Sequence, residues 1–250
     1  MLLDEVKRKK EYKNLDDDFV SRVIVSFSGK YDLPKQKKEL MKVVRAKLRD
    51  LYGAFRTFSY KRKDKYLETL KGWDDKEGCE KIMNCHLSTK ERIEHYEKLY
   101  KWLRTKVKFD TVLDVGCGFN VFSMPWLGQV HYYGIEINKE DVDFCNTYMY
   151  RYGLTGGVRW GDVLSFNKYV KTDIVFLFKV LEGFEALERG FSEEMFSKLE
   201  SKYALVSFAT KSLGGKKTIS ERRLKWFKNF ANIVERKKFG TEVYFLCELG

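Results

Sequence analysis

Asp114, Gly116, Gly118 and Glu136 have the types and the spacing needed to hold an adenosine-like ligand. In Val112–Asn120, VLDVGCGFN, a short apolar run ends in an acid and a glycine-rich turn follows. A parallel strand hands over in this way to a loop whose backbone approaches a ligand closely. The turn is not G-x-G-x-x-G opening a helix, so a dinucleotide fits it less well. A second apolar run, HYYGIEI, carries Glu136 near its end, where an acid suits a pair of ribose hydroxyls. Asp114 can accept from an ammonium group, directly or through water. Asp162, in WGDVLSF, can accept from an adenine amino group, with Val163 and Leu164 lining an apolar slot. A ligand with a ribose, an adenine and an amino-acid tail is S-adenosylmethionine (SAM), and the set predicts a SAM-dependent methyltransferase domain. The plainer alternatives are a turn that only packs a helix on a sheet, and Asp162 as a helix cap.

Lys179 closes the run IVFLFKVLE. A charge directly after apolar strand residues is costly unless partnered. Lys179 therefore faces cofactor or substrate, unless the chain has already turned to solvent. Asn120 and Trp126 flank the helix after the glycine turn; Trp126 suits either a target base or the core. The three histidines, His86, His95 and His131, lie outside the strand-end positions, and none is required as a general base. The five cysteines (Cys79, Cys85, Cys117, Cys145 and Cys247) form no C-x-x-C pair, which predicts reduced thiols in a cytoplasmic protein. Cys79, Cys85 and His86 have the wrong spacing for zinc, so no metal is expected.

Positioning these residues requires alternating strands and helices. The apolar runs predict strands at 112–116, 131–137, 157–161, 172–178, 203–208 and 241–247. A hairpin partner is expected near KKFG. Helices fit near 120–127, 139–152, 191–201 and 219–231. DIVFLF and YALVSF are continuously apolar, as central parallel strands should be. The fold class is α/β: a Rossmann-like SAM-dependent methyltransferase fold with a mixed, mostly parallel seven-stranded sheet and a helical N-terminal domain. The ligand crevice belongs at the strand C-termini. Leu40, Val43, Val44, Leu48 and Leu51 recur at helical spacing after Pro34, which suits a helix start. Ser88-Thr89-Lys90-Glu91 reads as a capping box opening a helix with Ile93, Tyr96, Leu99, Tyr100 and Leu103 on its apolar face.

The net charge of +12 is uneven: residues 1–110 hold 29 Lys and Arg against 19 Asp and Glu. A basic appendage on a near-neutral domain suits phosphate contacts with nucleic acid. The domains expected are 1–87, a helical basic docking unit, and 88–250, the methyltransferase. In FRTFSYKRKDK, Lys61, Arg62 and Lys63 alternate with aromatics that either stack bases or pack inward. No apolar run approaches the ~20 residues that cross a bilayer, and the first residues lack an apolar signal core. A cytoplasmic, monomeric enzyme without a membrane partner is expected.

The stretches CHLSTKERIEHY, VLDVGCGFNVFSMPWLG, IVFLFKVLE and ALVSFATKSLGGKK resemble the aminoglycoside-resistance methyltransferases of 16S ribosomal RNA. The branch most similar makes 7-methylguanine in the decoding A site. The resemblance implies SAM as cofactor and 16S rRNA in the small ribosomal subunit as partner, docked by the N-terminal helices. It also implies that Arg92 contacts the SAM carboxylate, while Lys179, Ser207 and segment 210–217 lie near cofactor and target base. The expected cofactor set is His86, Ser88, Arg92, Asp114, Gly116, Cys117, Gly118, Asn120, Glu136, Ile137, Asp162, Val163, Phe178 and Lys179. The expected RNA set is Lys61, Arg62, Lys63, Lys211, Lys216 and Lys217. Val121, Ala209 and the stretch 216–221 depart from the family pattern, and a different guanine or adenine N1 is the alternative target.

Overall fold

The apolar runs of the second half become β1 (Thr111–Val115), β2 (His131–Glu136), β3 (Gly156–Trp160), β4 (Ile174–Phe178), β5 (Tyr203–Ala209), β6 (Ile233–Phe239) and β7 (Glu242–Glu248). In the computed structural model, which describes residues 2–33, 35–211 and 217–249, they form one sheet ordered β3-β2-β1-β4-β5-β7-β6. Pro34 lies outside the described residues. β1 to β5 pair in parallel, and β7 runs antiparallel to both β5 and β6. The hairpin expected near KKFG is β6–β7, turning through Gly240 at φ 53°.

The alternation along β4 shows how the sheet builds two cores. Ile174, Phe176 and Phe178 enter one apolar cluster, and Val175 and Leu177 the other. Burial on both faces is why this strand has no polar residue.

Three helices come first: α1 (Leu2–Lys7), α2 (Asp17–Ser28) and α3 (Lys37–Leu51). Asp16 caps α2 by accepting from the Phe19 amide, satisfying one of the donors a helix start leaves free. Leu40, Val44 and Leu48 recur every four residues on α3 and are buried, with Val6, Phe19, Val20 and Val23, in a core of their own. α4 (Lys63–Glu68) and α5 (Lys76–Met83) differ. Tyr60, Leu67, Cys79, Ile82 and Met83 pack in the same core as β1 and β4. The break in packing therefore falls near residue 52, inside the segment whose composition reads as one helical unit.

Next come α6 (Leu87–Lys90), α7 (Tyr96–Lys106), α8 (Met124–Leu127), α9 (Lys139–Arg151), α10 (Leu181–Leu187), α11 (Phe191–Lys198) and α12 (Lys225–Phe230). The capping box does not form. Ser88 sits inside α6, and a 3-10 turn at Ile93–His95 separates α6 from α7. The Ser88 hydroxyl accepts from Arg92, and Glu91 pairs with Lys179. Tertiary charges have taken both members of the local motif. The helix expected over 120–127 is a 3-10 turn, Asn120–Ser123, followed by the single turn of α8.

Candidate active site

A cavity of about 230 Å³ opens at the C-terminal ends of β1, β2 and β4, where an open α/β sheet binds its ligand. His86, Ser88, Gly116, Glu136, Ile137, Asp162, Val163, Phe178 and Lys179, all of the expected cofactor set, line it. Gly116 has φ 66°, and a Cβ there would stand 2.6 Å from Val180 Cγ1. Only glycine takes both the left-handed turn and this close approach. Glu136 is buried with both oxygens engaged. Oε2 accepts from the Gly118 amide at 3.0 Å, and Oε1 from Ile137 and Asn138 at 2.9 and 3.2 Å. Burial, reinforced by Asp141, pushes its pKa up to about 7 against these bonds. The glycine approach and this fixed carboxyl group fit the ribose of an adenosine-containing cofactor.

Asp114, Cys117, Gly118 and Asn120 stand behind the wall rather than in it. Asp114, expected to accept from a ligand ammonium, is 1% exposed. Its Oδ2 accepts from Asn120 Nδ2 and from Tyr132 Oη, both at 2.6 Å. Burial raises its pKa to about 6, with these two donors opposing. Its structural work is to hold the glycine turn onto β2. Cys117 and Cys145 are buried thiols whose pKa burial raises further. A Cβ on Gly118 would meet the His86 ring at 2.9 Å, so this glycine leaves room for the imidazole.

His86 reaches the cavity from the segment before α6, although it is on no strand end. Its ring stacks on Phe55 at 5.7 Å and tilts against Phe119 at 5.5 Å. Burial, then the Arg92 and Lys179 charges, push its pKa down to about 3. The imidazole is therefore neutral at physiological pH, and its buried Nδ1 has no hydrogen-bond partner.

Beside His86 lies a buried charge cluster. Arg92 Nε donates to Glu242 Oε1 and Oε2 at 3.0 and 3.1 Å, and Nη2 donates to Ser88 Oγ at 2.8 Å. Lys179 Nζ reaches Glu91 Oε2 at 2.5 Å and Glu242 Oε1 at 3.2 Å. Ser207 Oγ donates to Glu242 Oε2 at 2.7 Å. Burial would raise the Glu242 pKa, but Arg92 and Lys179 outweigh it and hold the group below the usual glutamate range. Arg92 and Ser207 are thus committed to Glu242 and lie behind the cavity wall, where a direct cofactor or base contact was expected. Lys179 is partnered, not turned to solvent. It has φ 60°, a strained conformation for a side-chain-bearing residue that persists where its surroundings enforce it. Glu91 and Glu242 escaped sequence reasoning. Glu91 was hidden in an apparent capping box. Glu242, a carboxylate opening the apolar strand EVYFLCE, was legible as a buried charge in need of a partner.

Asp162 fulfils its cap role, accepting from the Leu164 amide at 3.1 Å, and it also accepts from Arg22 Nε at 3.0 Å. Trp126 stacks on Tyr96 at 6.2 Å and serves the core. Among the basic residues, Lys61, Arg62, Lys211 and Lys217 are exposed, while Lys216 lies outside the described residues. Lys63 is not available to a phosphate. It is 4% exposed, pairs with Glu140 at 3.4 Å and lies 4.4 Å from the Phe144 ring centroid. The first turn of α4 carries it inward, so basic character alone misassigned it. Phe55 packs against His86, whereas Phe58 is fully exposed. Of the three aromatics in the segment, Phe55 and the buried Tyr60 pack inward and Phe58 does not. Among the described residues no cluster of His, Cys, Asp or Glu could hold a metal, and no helix is long and apolar enough to cross a membrane.

A parallel sheet closed by an antiparallel hairpin, with a glycine turn and a buried glutamate at the strand ends, defines a methyltransferase-type nucleotide site. The family described as ribosomal RNA methyltransferase (FmrO) matches residues 21–237, and the chain belongs to that family. The chain is 29% identical to a 16S rRNA (guanine(1405)-N(7))-methyltransferase of Proteus mirabilis, over 94% of this chain and 92% of that one. It is 26% identical to the protein of the same name from Serratia marcescens, over 98% and 96%. The crystal structure of 16S rRNA methyltransferase RmtF in complex with S-adenosyl-L-homocysteine shares the fold: TM-score 0.88 at 24% identity, covering 100% of this chain and 97% of that one.

Proposed function

We propose that this chain transfers a methyl group from SAM to N7 of a guanine in the decoding A site of 16S rRNA, in the small ribosomal subunit. The modification is of the aminoglycoside-resistance type. The observation that carries the reading is the full-length match to relatives named for guanine N7 methylation, in a chain whose cavity has a glycine approach and a fixed acidic acceptor at the strand ends. SAM supplies an electrophilic methyl group when bound. Glu136 accepts from the ribose hydroxyls, Gly116 lets the backbone approach the methionine part, and Asp162 accepts from the adenine amino group. Guanine N7 has a free lone pair, so the residues have no proton to remove. The neutral, core-stacked His86 is consistent with that. Catalysis is then alignment of nitrogen, methyl and sulfur, with Lys179 orienting an acceptor on the base or a phosphate. The protein works in the cytoplasm as a monomer, docked through exposed Lys61 and Arg62.

Methylation of another rRNA position, a different guanine or adenine N1, is the second reading. It is favoured by Val121 and Ala209, which depart from the family pattern. Purified protein with methyl-labelled SAM, offered small subunits, naked 16S rRNA and a protein control, tests both. Cleavage at 7-methylguanine with one primer-extension stop in the A site is the expected result. Label without that stop moves the methyl to another atom, and label on no RNA overturns the reading.

A further inference from the structure

Both acids assigned to the cofactor are tied to the N-terminal helices. The turn after β2, which presents Glu136, is bonded through its backbone to residues 14–16. The Asp16 amide donates to the Ile137 carbonyl and the Lys139 amide to the Asn14 carbonyl, each at 2.8 Å. Asp162 is held by Arg22 of α2. Arg22 Nε donates to Asp162 Oδ2 at 3.0 Å, Nη1 to Glu188 Oε2 at 2.8 Å and Nη2 to Ser165 Oγ at 3.3 Å. One planar guanidinium thus joins α2 to the turn after β3 and to the end of α10. Its fork geometry is suited to fixing a carboxylate plane. Asp162 is 2% exposed, and burial raises its pKa while the Arg22 bond opposes the rise, so losing that cation favours the protonated form, which can donate. Phe19, one turn before Arg22, lines the same cavity with Leu51 and Tyr52.

We infer that Arg22 is a positioning residue of the cofactor site, holding Asp162 as an oriented acceptor for the adenine amino group and so coupling cofactor binding to the seating of the N-terminal helices on the sheet. The inference rests on the adenine role of Asp162 proposed for this site. Coupling is reciprocal. RNA that favours the seated arrangement tightens the cofactor by the factor with which the cofactor tightens RNA.

Calorimetry with the full chain tests it, using S-adenosylhomocysteine and S-inosylhomocysteine as probes. The inosyl ligand places a carbonyl acceptor where the adenosyl ligand has an amino donor. The wild type is expected to prefer the adenosyl ligand by about tenfold or more. Arg22→Ala loses that preference, because a reoriented or protonated Asp162 weakens the adenosyl ligand and does not weaken the inosyl one. Arg22→Lys, which keeps the charge without the fork, loses part of it and serves if the alanine variant does not fold. Glu188→Ala, which leaves the Asp162 contact in place, retains it. A folded Arg22→Ala that keeps the wild-type preference, or that weakens both ligands equally, overturns the inference and leaves the Asp162 reading standing. A wild type without preference overturns the Asp162 reading, and this inference with it.

Discussion

Glu136 shows how much one buried carboxylate controls. Its three backbone donors fix its orientation, while burial lifts its pKa to about 7. Ribose hydroxyls donate more strongly to the ionised carboxylate than to the protonated acid, which has fewer acceptor sites and a donor of its own. Cofactor affinity should therefore rise as pH increases from about 6 to 8, through that pKa. Without ligand the sign is opposite: the folded state favours the protonated form, so this group makes the protein less stable as pH rises from its unfolded value through about 7. Glu136→Gln should weaken S-adenosylhomocysteine by about tenfold or more and flatten the pH dependence of calorimetric affinity. An unchanged pH profile in the variant would remove Glu136 from the ribose role. At Lys179 the expected effect lies elsewhere. Lys179→Ala should lower turnover on small subunits more than it lowers cofactor affinity, because its ammonium is already held by Glu91 and Glu242. Single-turnover rates set against calorimetry separate the two, and equal losses would make Lys179 a cofactor ligand.

Among the elements, the β6–β7 hairpin does more than close the sheet. β7 delivers Glu242 opposite Ala209 of β5, where it neutralises Arg92 and Lys179 from elements far apart in the chain. Removing one partner of a buried pair leaves the other uncompensated, at a cost of about 3–5 kcal/mol. Glu242→Ala should accordingly lower the urea midpoint strongly, with Glu242→Gln milder because it can still accept from Arg92. A midpoint within experimental error of wild type would show that water already screens the cluster. The same cluster explains the interrupted helix before β1. A continuous helix from Ser88 was the local preference, and the chain gives it up to bring Ser88, Glu91 and Arg92 to one place.

For the whole molecule, charge and packing divide the chain differently. The excess of basic residues runs through residues 1–110, but the first core ends near Tyr52 and the next helices pack under the sheet. The basic surface is therefore anchored to the catalytic unit rather than hung from a linker. Lys61→Glu with Arg62→Glu should weaken small-subunit binding and flatten its salt dependence, by about 0.7–0.9 in log–log slope for each phosphate the variant no longer neutralises. The affinity for S-adenosylhomocysteine should stay unchanged. Binding titrations at several salt concentrations read this directly, and an unaltered slope would place the docking face elsewhere.

The residues alone determined the sheet, its approximate strands, the glycine turn and the acid at the end of β2, because these depend on local periodicity and on backbone needs that only certain residue types meet. Gly116 is legible since no other residue takes its φ against Val180. The tertiary structure decided what depends on partners distant in sequence. It turned Asp114 inward to Asn120 and Tyr132, gave Arg92 to Glu242, hid Lys63 under Phe144, and set Arg22 against Asp162. A buried charge goes where its countercharge is, and that countercharge lies 150 residues away for Arg92 and 140 for Arg22, beyond any pattern read along the chain.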